Sequence, residues 1–229
     1  FCSHKCGYCN LFSLQTNRTE YIATYLDTLH RQAQQLSPLT AGLTFDSFAI
    51  GGGTPLLLTV PQLEQLMATA ALFGVHPSHA FTSVETSPEY ADRPRLNVLK
   101  KAGVSRVSIG IQSFQDEELK FLGRIHTAGE AECCFTMARR AGFENINIDL
   151  IFGIPGSTAD SWKSTLRRAV ALRPDHLSFY SLQIEEGTPL YRMFRLDDIQ
   201  QVSDEENRRM YHDAVQFLEQ AGYHQYEIS

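Results

Sequence analysis

Apolar residues recur along this chain in two alternating rhythms, short runs of period two and longer stretches of period three to four. Phe45-Asp46-Ser47-Phe48-Ala49-Ile50 reads as a strand that stops at Gly51-Gly52-Gly53-Thr54-Pro55. The strand pattern returns at Phe81 to Glu85, Arg106 to Ile111, Ile146 to Phe152 and His176 to Leu182, and Tyr223 to Ser229 is predicted to begin another. Helical periods fill the gaps. Asn17-Arg18-Thr19-Glu20 has the form of a capping box opening a helix to about Ser37, with Tyr21, Ile22, Tyr25, Leu26 and Leu29 as its apolar stripe. Thr59 caps the next helix, to about Phe73, with Pro61 in a first turn where a missing N–H costs little. A short helix from Leu96 to Ala102 ends at Gly103. Further helices are predicted over Asp116 to Leu122, Ala128 to Ala141, Thr158 to Leu172 and Asp204 to Ala221, the last capped by Ser203 and Glu206.

Strands that alternate with helices at this spacing pair in parallel through crossover helices, so the fold class is α/β. With 229 residues, and no linker, repeat or low-complexity stretch, residues 1–229 are expected to form a single domain. A closed eight-unit barrel needs a longer chain. A partial (β/α)6 TIM-like barrel fits the count if one further strand leads into Phe1 from upstream. In parallel α/β sheets ligands lie beyond the carboxyl ends of the strands, so the chemistry is expected on residues that end strands.

Composition narrows the class. A net charge of −6 with interspersed signs argues against a nucleic-acid surface. No apolar run approaches the roughly 20 residues of a membrane span, and no signal peptide is visible. The cysteines number only five, too few and too clustered for a secreted disulfide scaffold, so a reducing cytoplasm is the expected location.

Their clustering is the strongest chemical signal. Cys2, Cys6 and Cys9 fall in the first ten residues, while Cys133 and Cys134 lie mid-helix beside Phe135 and read as packing. Soft thiolates at such spacing suit an iron–sulfur cluster, a zinc knuckle or a disulfide. Three ligands leave one coordination position open, whereas a structural zinc site closes with four. His4, inside the three-residue gap, is poorly placed to reach the same metal.

Several strand ends carry residues of the right type for a ligand. Gly51, Gly52 and Gly53 lack a Cβ, which allows either a tight turn or close approach of a ligand to the main chain; a phosphate loop would need a following Gly-Lys-Ser/Thr. Glu85 and Asp149 are charges in otherwise apolar strands, costly to bury without partners and suited to an ion pair or a ligand. Gln112 offers a donor and an acceptor at once. Arg124 is either a surface cation or a bidentate carboxylate binder. Tyr180 and Gln183 end the last full strand. Glu89 reads as solvated or as ending the turn, and Trp162 and His126 as packed.

Cys2-Ser3-His4-Lys5-Cys6-Gly7-Tyr8-Cys9, together with Gly-Gly-Gly-Thr-Pro after a strand, resembles the radical S-adenosylmethionine (SAM) superfamily, in the branch of oxygen-independent coproporphyrinogen III oxidase. The resemblance implies a radical SAM core with a [4Fe-4S] cluster on Cys2, Cys6 and Cys9, whose fourth iron binds the amino and carboxylate groups of SAM. One electron, from a donor such as flavodoxin or ferredoxin, would cleave SAM to methionine and a 5′-deoxyadenosyl radical. That radical would abstract hydrogen from a porphyrin-related or other organic substrate. It also implies that Gly52, Gly53 and Thr54 meet the methionyl amino group and that Glu85 contacts the cluster-bound SAM. Tyr8, Gln112, Arg124 and Asp149 would line a second SAM site, with Gly53 and Thr54 between the two.

The same likeness makes Gly222 to Ser229 a segment that joins the barrel to a C-terminal domain. The chain is then expected to be the core of a longer protein, with that domain and an N-terminal strand outside it. One departure counts against decarboxylation of coproporphyrinogen. Where the oxidase has a further cysteine, two residues after the third, this chain has Leu11. Leu11 looks more like the oxidase-like relatives that include heme chaperones, so the alternative function is heme binding and delivery, with cluster and SAM retained in a structural or regulatory part.

Overall fold

In the computed structural model, which describes residues 1–16, 18–74 and 80–228, five strands form one wholly parallel sheet in the order β1-β2-β3-β4-β5. They are β1 (Ser47–Ile50), β2 (Phe81–Thr86), β3 (Arg106–Gln112), β4 (Asn145–Phe152) and β5 (His176–Ser181). The helices are α1 (Thr19–Leu36), α2 (Val60–Ala71), α3 (Arg93–Lys101), α4 (Asp116–Phe121), α5 (Ala128–Arg140), α6 (Ala159–Ala171), α7 (Pro189–Arg195) and α8 (Asp204–Gln220). Spatial order follows chain order without reversal. Right-handed crossovers then place successive helices on one face of the sheet, as in the wall of a partial TIM-like barrel.

The two faces differ in chemistry. Val84, Val107, Ile109, Ile111, Ile146, Ile148 and Leu150 are buried in the main core that the helices cover. The opposite face is polar, because the register aligns Glu85, Ser108, Asn147 and His176 in one row. Gly110, Asp149 and Ser178 form the row above it. A strand's two-residue period makes this possible: each strand gives alternate residues to the oily and the polar side.

Local signals place most elements where the sequence predicts. Thr59 N donates to Gln62 Oε1 at 2.9 Å at the start of α2, and Ser203 Oγ accepts from Glu206 N at 3.2 Å at the start of α8. Trp162 is packing, 4% exposed, with Nε1 donating to Met210 O. Of the paired thiols, Cys134 is buried but Cys133 is exposed.

Three expectations change. The N-cap of α1 is Arg18, which makes no side-chain cap bond, and Asn17 lies outside the described residues. Only Ile22 and Leu26 of its predicted stripe are buried, joined by Ala33, whereas Tyr21 and Tyr25 are about half exposed. Tyr25 instead meets the Phe1 ring edge-on, 5.2 Å between centroids.

Tyr223 to Ile228 forms no strand, and Ser229 is outside the described residues. This run stands off β5 across a cleft and is tied by side chains: Tyr223 Oη donates to Pro174 O at 2.7 Å and Tyr226 Oη meets His176 Nε2 at 2.7 Å. Tyr226 and Ile228, which an inner strand would bury on one side, both face water.

The short helix α7 was not anticipated, although Thr188-Pro189 is a start signal: Thr188 Oγ1 accepts from Tyr191 N. It carries a second apolar cluster, Leu122, Ile151, Ile154, Leu182 and Leu190, into contact with the cysteine loop. Gly7 N donates to Leu122 O at 2.8 Å, and Leu190 N donates to Gly7 O at 2.9 Å.

Candidate functional site

The cysteine loop lies over the carboxyl ends of the strands. Cys2 N donates to Leu14 O and Thr16 N to Cys2 O, closing the loop on itself. The chain then crosses the glycine turn after β1, where Thr54 N donates to Phe1 O at 2.8 Å. Gly53 has φ +59°, and a Cβ there would sit 2.5 Å from Phe1 O, so both conformation and space require glycine.

A cavity of about 340 Å³ opens between loop and sheet. Cys2, Cys6, Cys9, Tyr8, Gly53, Thr54, Glu85, Gln112, Arg124 and Asp149 all line it. Ten of the eleven residues that the family resemblance assigns to cluster or SAM thus line one space. The eleventh, Gly52, sits at its edge, its N–H donating to Glu85 Oε2 at 3.2 Å. Tyr180 also lines the cavity, whereas Gln183 is exposed and does not.

All three loop cysteines are free thiols, so each sulfur is available as a ligand. Burial pushes the Cys6 thiol up, and the Arg124 guanidinium pulls it back. Arg124 Nη1 donates to Cys6 Sγ at 3.4 Å and Nη2 to Gly110 O at 2.9 Å. His4 Nε2 is 3.7 Å from the same sulfur, with Nδ1 3.2 Å from Ser3 Oγ. Among the described residues no three His, Cys, Asp or Glu side chains converge as a single metal ion would need. A polynuclear cluster, in which each iron takes its own thiolate, does not ask for that convergence. The donor set therefore suits an iron–sulfur cluster with one iron left open, and carbonyls, amides and carboxylates nearby suit a zwitterionic partner.

Gln112 is held in a backbone state that side chains rarely adopt, φ +72°, at a register shift between β3 and β4. The irregularity turns its amide into the cavity, where Oε1 accepts from Tyr180 Oη at 3.3 Å. Non-glycine residues in that region persist only where their surroundings over-determine them, and they cluster at functional sites. Burial pushes the Tyr8 phenol up, in keeping with its packing against the second apolar cluster.

Asp149 sits in a cage of donors. Asn147 Nδ2 donates to Oδ1 at 2.7 Å and Ser108 Oγ to Oδ2 at 3.0 Å. Burial pushes its carboxyl up, while Asn147, Ser108 and Ser178 pull it down.

Sequence reasoning missed the part that Glu89 plays here. Glu89, expected to be solvated, is only 13% exposed in its side chain, with Oε2 3.3 Å from His126 Nδ1 and 4.0 Å from Arg124 Nη2. Burial alone would raise the Glu89 carboxyl, but the contact with His126 and the charge of Arg124 outweigh it and hold it at about 2. His126, itself buried, donates from Nε2 to Ile111 O at 3.2 Å. No periodicity marks Glu89, because it lies in a short turn after β2. The cage residues did carry a signal: Asn145-Ile146-Asn147-Ile148-Asp149 alternates strictly polar and apolar.

Three comparisons bear on this geometry. Residues 1–169 match the family model described as the Radical SAM superfamily. The chain is 34% identical over its whole length to a protein of Bacillus subtilis named heme chaperone HemW, of which it covers 60%. It is 31% identical to a zebrafish (Danio rerio) protein named radical S-adenosyl methionine domain-containing protein 1, mitochondrial, covering 51% of that relative. The solved structure of coproporphyrinogen III oxidase (HemN) from Escherichia coli, described as a radical SAM enzyme, superposes with a TM-score of 0.86 at 28% identity, over 97% of this chain and 51% of the other. The chain thus spans between half and two thirds of the length of these three relatives.

Proposed function

Since the chain belongs to the radical SAM superfamily, we propose that residues 1–229 are one radical SAM core domain that holds a [4Fe-4S] cluster on Cys2, Cys6 and Cys9 and binds SAM beside it. When bound, a reduced cluster supplies the single electron that splits SAM into methionine and a 5′-deoxyadenosyl radical. The observation that carries this reading is the convergence of three free thiols and seven further ligand-type residues on one cavity.

The chain's own groups divide the work by chemistry. Glu85, docked on the Gly52 N–H, offers a carboxylate, and the glycine turn offers main-chain polar groups to the ammonium of SAM. Arg124 is the buried cation for a carboxylate, held by Gly110 O and backed by Glu89. Gln112 and Asp149 supply an amide and a caged carboxylate on the sheet side of the cavity, suited to ribose hydroxyls or a second zwitterion. Tyr8 lines the cavity with the apolar cluster of Leu122 and Leu190 packed behind it, which keeps water from that side. Hydrogen abstraction from a porphyrin-related or other organic substrate is the enzymatic outcome of this arrangement.

A second reading, heme binding and delivery, is supported by Leu11 and by the likeness to the Bacillus subtilis protein named heme chaperone HemW. Anaerobic reconstitution of the protein, with a chemical reductant and SAM, separates the two. The enzyme reading expects 5′-deoxyadenosine that increases with a porphyrin present. Tight heme binding with no deoxyadenosine favours delivery and overturns it.

A further inference from the structure

A chain of hydrogen bonds runs from the surface to Asp149 along the polar face of the sheet. Tyr226 Oη lies 2.7 Å from His176 Nε2, His176 Nδ1 lies 2.6 Å from Asn147 Oδ1, and Asn147 Nδ2 lies 2.7 Å from Asp149 Oδ1. Asn147 Nδ2 also meets Ser108 Oγ at 2.6 Å, and Ser178 Oγ donates to Asn147 Oδ1 at 3.3 Å. Asn147 is 4% exposed, so it has no water with which to exchange these partners.

The direction of every bond follows from the carboxylate. An ionised Asp149 accepts only, so the amide must turn its NH₂ toward Asp149 and Ser108. Its carbonyl then faces His176, which must present a proton on Nδ1 and leave Nε2 to accept from Tyr226. The reverse amide orientation would set a carbonyl oxygen against a carboxylate oxygen at hydrogen-bond distance. A single tautomer of His176 thereby locks the Asn147 amide, and the amide locks the rotation of the carboxylate.

We propose that Asn147 and His176 are positioning residues that fix the Asp149 carboxylate in its SAM-facing orientation, with Tyr226 as the outer anchor of the relay. This rests on the reading of Asp149 as a SAM contact. Neither residue lines the cavity, so they act through Asp149 and not on the ligand. Groups that orient a ligand-binding side chain commonly alter affinity by tenfold or more when removed. The relay also joins the site to the segment after α8, which would make ligand affinity sensitive to how that segment sits.

The test measures SAM affinity by equilibrium dialysis on cluster-loaded protein, with cluster absorbance recorded for each variant. His176→Leu, which has no donor, is expected to weaken binding about tenfold, as is the isosteric Asn147→Asp, which exchanges the NH₂ for an acceptor. His176→Asn keeps a donor at the Nδ1 position and is expected to stay within about threefold of wild type. Asp149→Ala is the reference. If it leaves affinity unchanged, Asp149 is no SAM contact and the inference falls with that reading. If it weakens binding while His176→Leu and Asn147→Asp do not, the relay alone is overturned. Equal loss in His176→Asn and His176→Leu also overturns it. Should the variants fail to load a cluster, ¹⁵N NMR of the histidine-labelled wild type reads the tautomer directly: Nδ1-protonated His176 supports the relay, and Nε2-only protonation contradicts it.

Discussion

Arg124 reaches Cys6 Sγ with one guanidinium nitrogen, at 3.4 Å, and Gly110 O with the other, at 2.9 Å, so a single side chain ties the cysteine loop to the end of β3. Gly123, at φ +73°, allows this: a Cβ there would stand 3.0 Å from Gly7 N, so the turn after α4 and the loop touch only because neither carries bulk. Arg124→Lys keeps the charge and loses the planar fork. The variant should load a cluster, bind SAM about tenfold more weakly, and show a lower cluster reduction potential, because an N–H donor to a cluster sulfur has been removed. A redox titration followed by electron paramagnetic resonance checks this, and an unchanged potential would show that the contact does not reach the cluster.

Glu89 supplies a prediction in pH. Its carboxyl is held at about 2, below an unfolded value of about 4.3, so the unfolded chain takes up the proton first as pH falls. The stabilisation is complete above about pH 5 and is lost as pH falls toward 2. At neutral pH Glu89→Gln leaves Arg124 and His126 with no buried anion on that side, and should cost about 3 kcal/mol. Urea unfolding at pH 7 and pH 3 should show the gap between wild type and variant narrowing by about 1.5 kcal/mol at the lower pH. A gap that widens on acidification would mean that the pair does not hold the carboxyl down.

Gly51 gives a test that separates binding from folding. Its backbone is ordinary, but a Cβ would sit 2.7 Å from the Glu85 carboxyl group, the far end of a flexible side chain. Gly51→Ala should therefore cost less than about 1 kcal/mol of stability, since Glu85 can swing aside. In doing so Glu85 gives up the Gly52 N–H, so SAM affinity should fall by about tenfold or more. Isothermal titration with SAM, paired with thermal melts, distinguishes this from general destabilisation. A large drop in melting temperature with unchanged affinity would count against Glu85 as a ligand.

The framework was legible because period and punctuation agree. All five strands follow apolar runs that end in glycine, serine or proline, and every predicted helix forms within a few residues of its expected ends. Cys2, Cys6 and Cys9 stood out by their clustering, which left the kind of site open until the family resemblance was added, and Asp149 by the conflict between a charge and its strand. What escaped depends on the third dimension. Glu89 looks like any acidic turn residue until α5 brings its neighbourhood against the strand ends and His126 and Arg124 close on it. Gln112 reads as a strand-end amide, but its strained backbone arises only from the register shift against β4. Tyr223 to Ile228 has the composition of a strand, yet side-chain ties to Pro174 and His176 hold it away from the edge of β5. Composition does not decide whether a segment pairs when its neighbour's edge can be met by side chains instead.

The central claim is that three thiolates hold a four-iron cluster with one iron open to SAM. The direct measurement is iron content together with electron paramagnetic resonance of the anaerobically reconstituted, reduced protein, before and after addition of SAM. The account predicts about four irons per chain, a spectrum of a reduced [4Fe-4S] centre that changes when SAM binds, and loss of that centre in Cys2→Ser, Cys6→Ser or Cys9→Ser but not in Cys133→Ser. Bound zinc in place of iron, or a cluster spectrum indifferent to SAM, would contradict it.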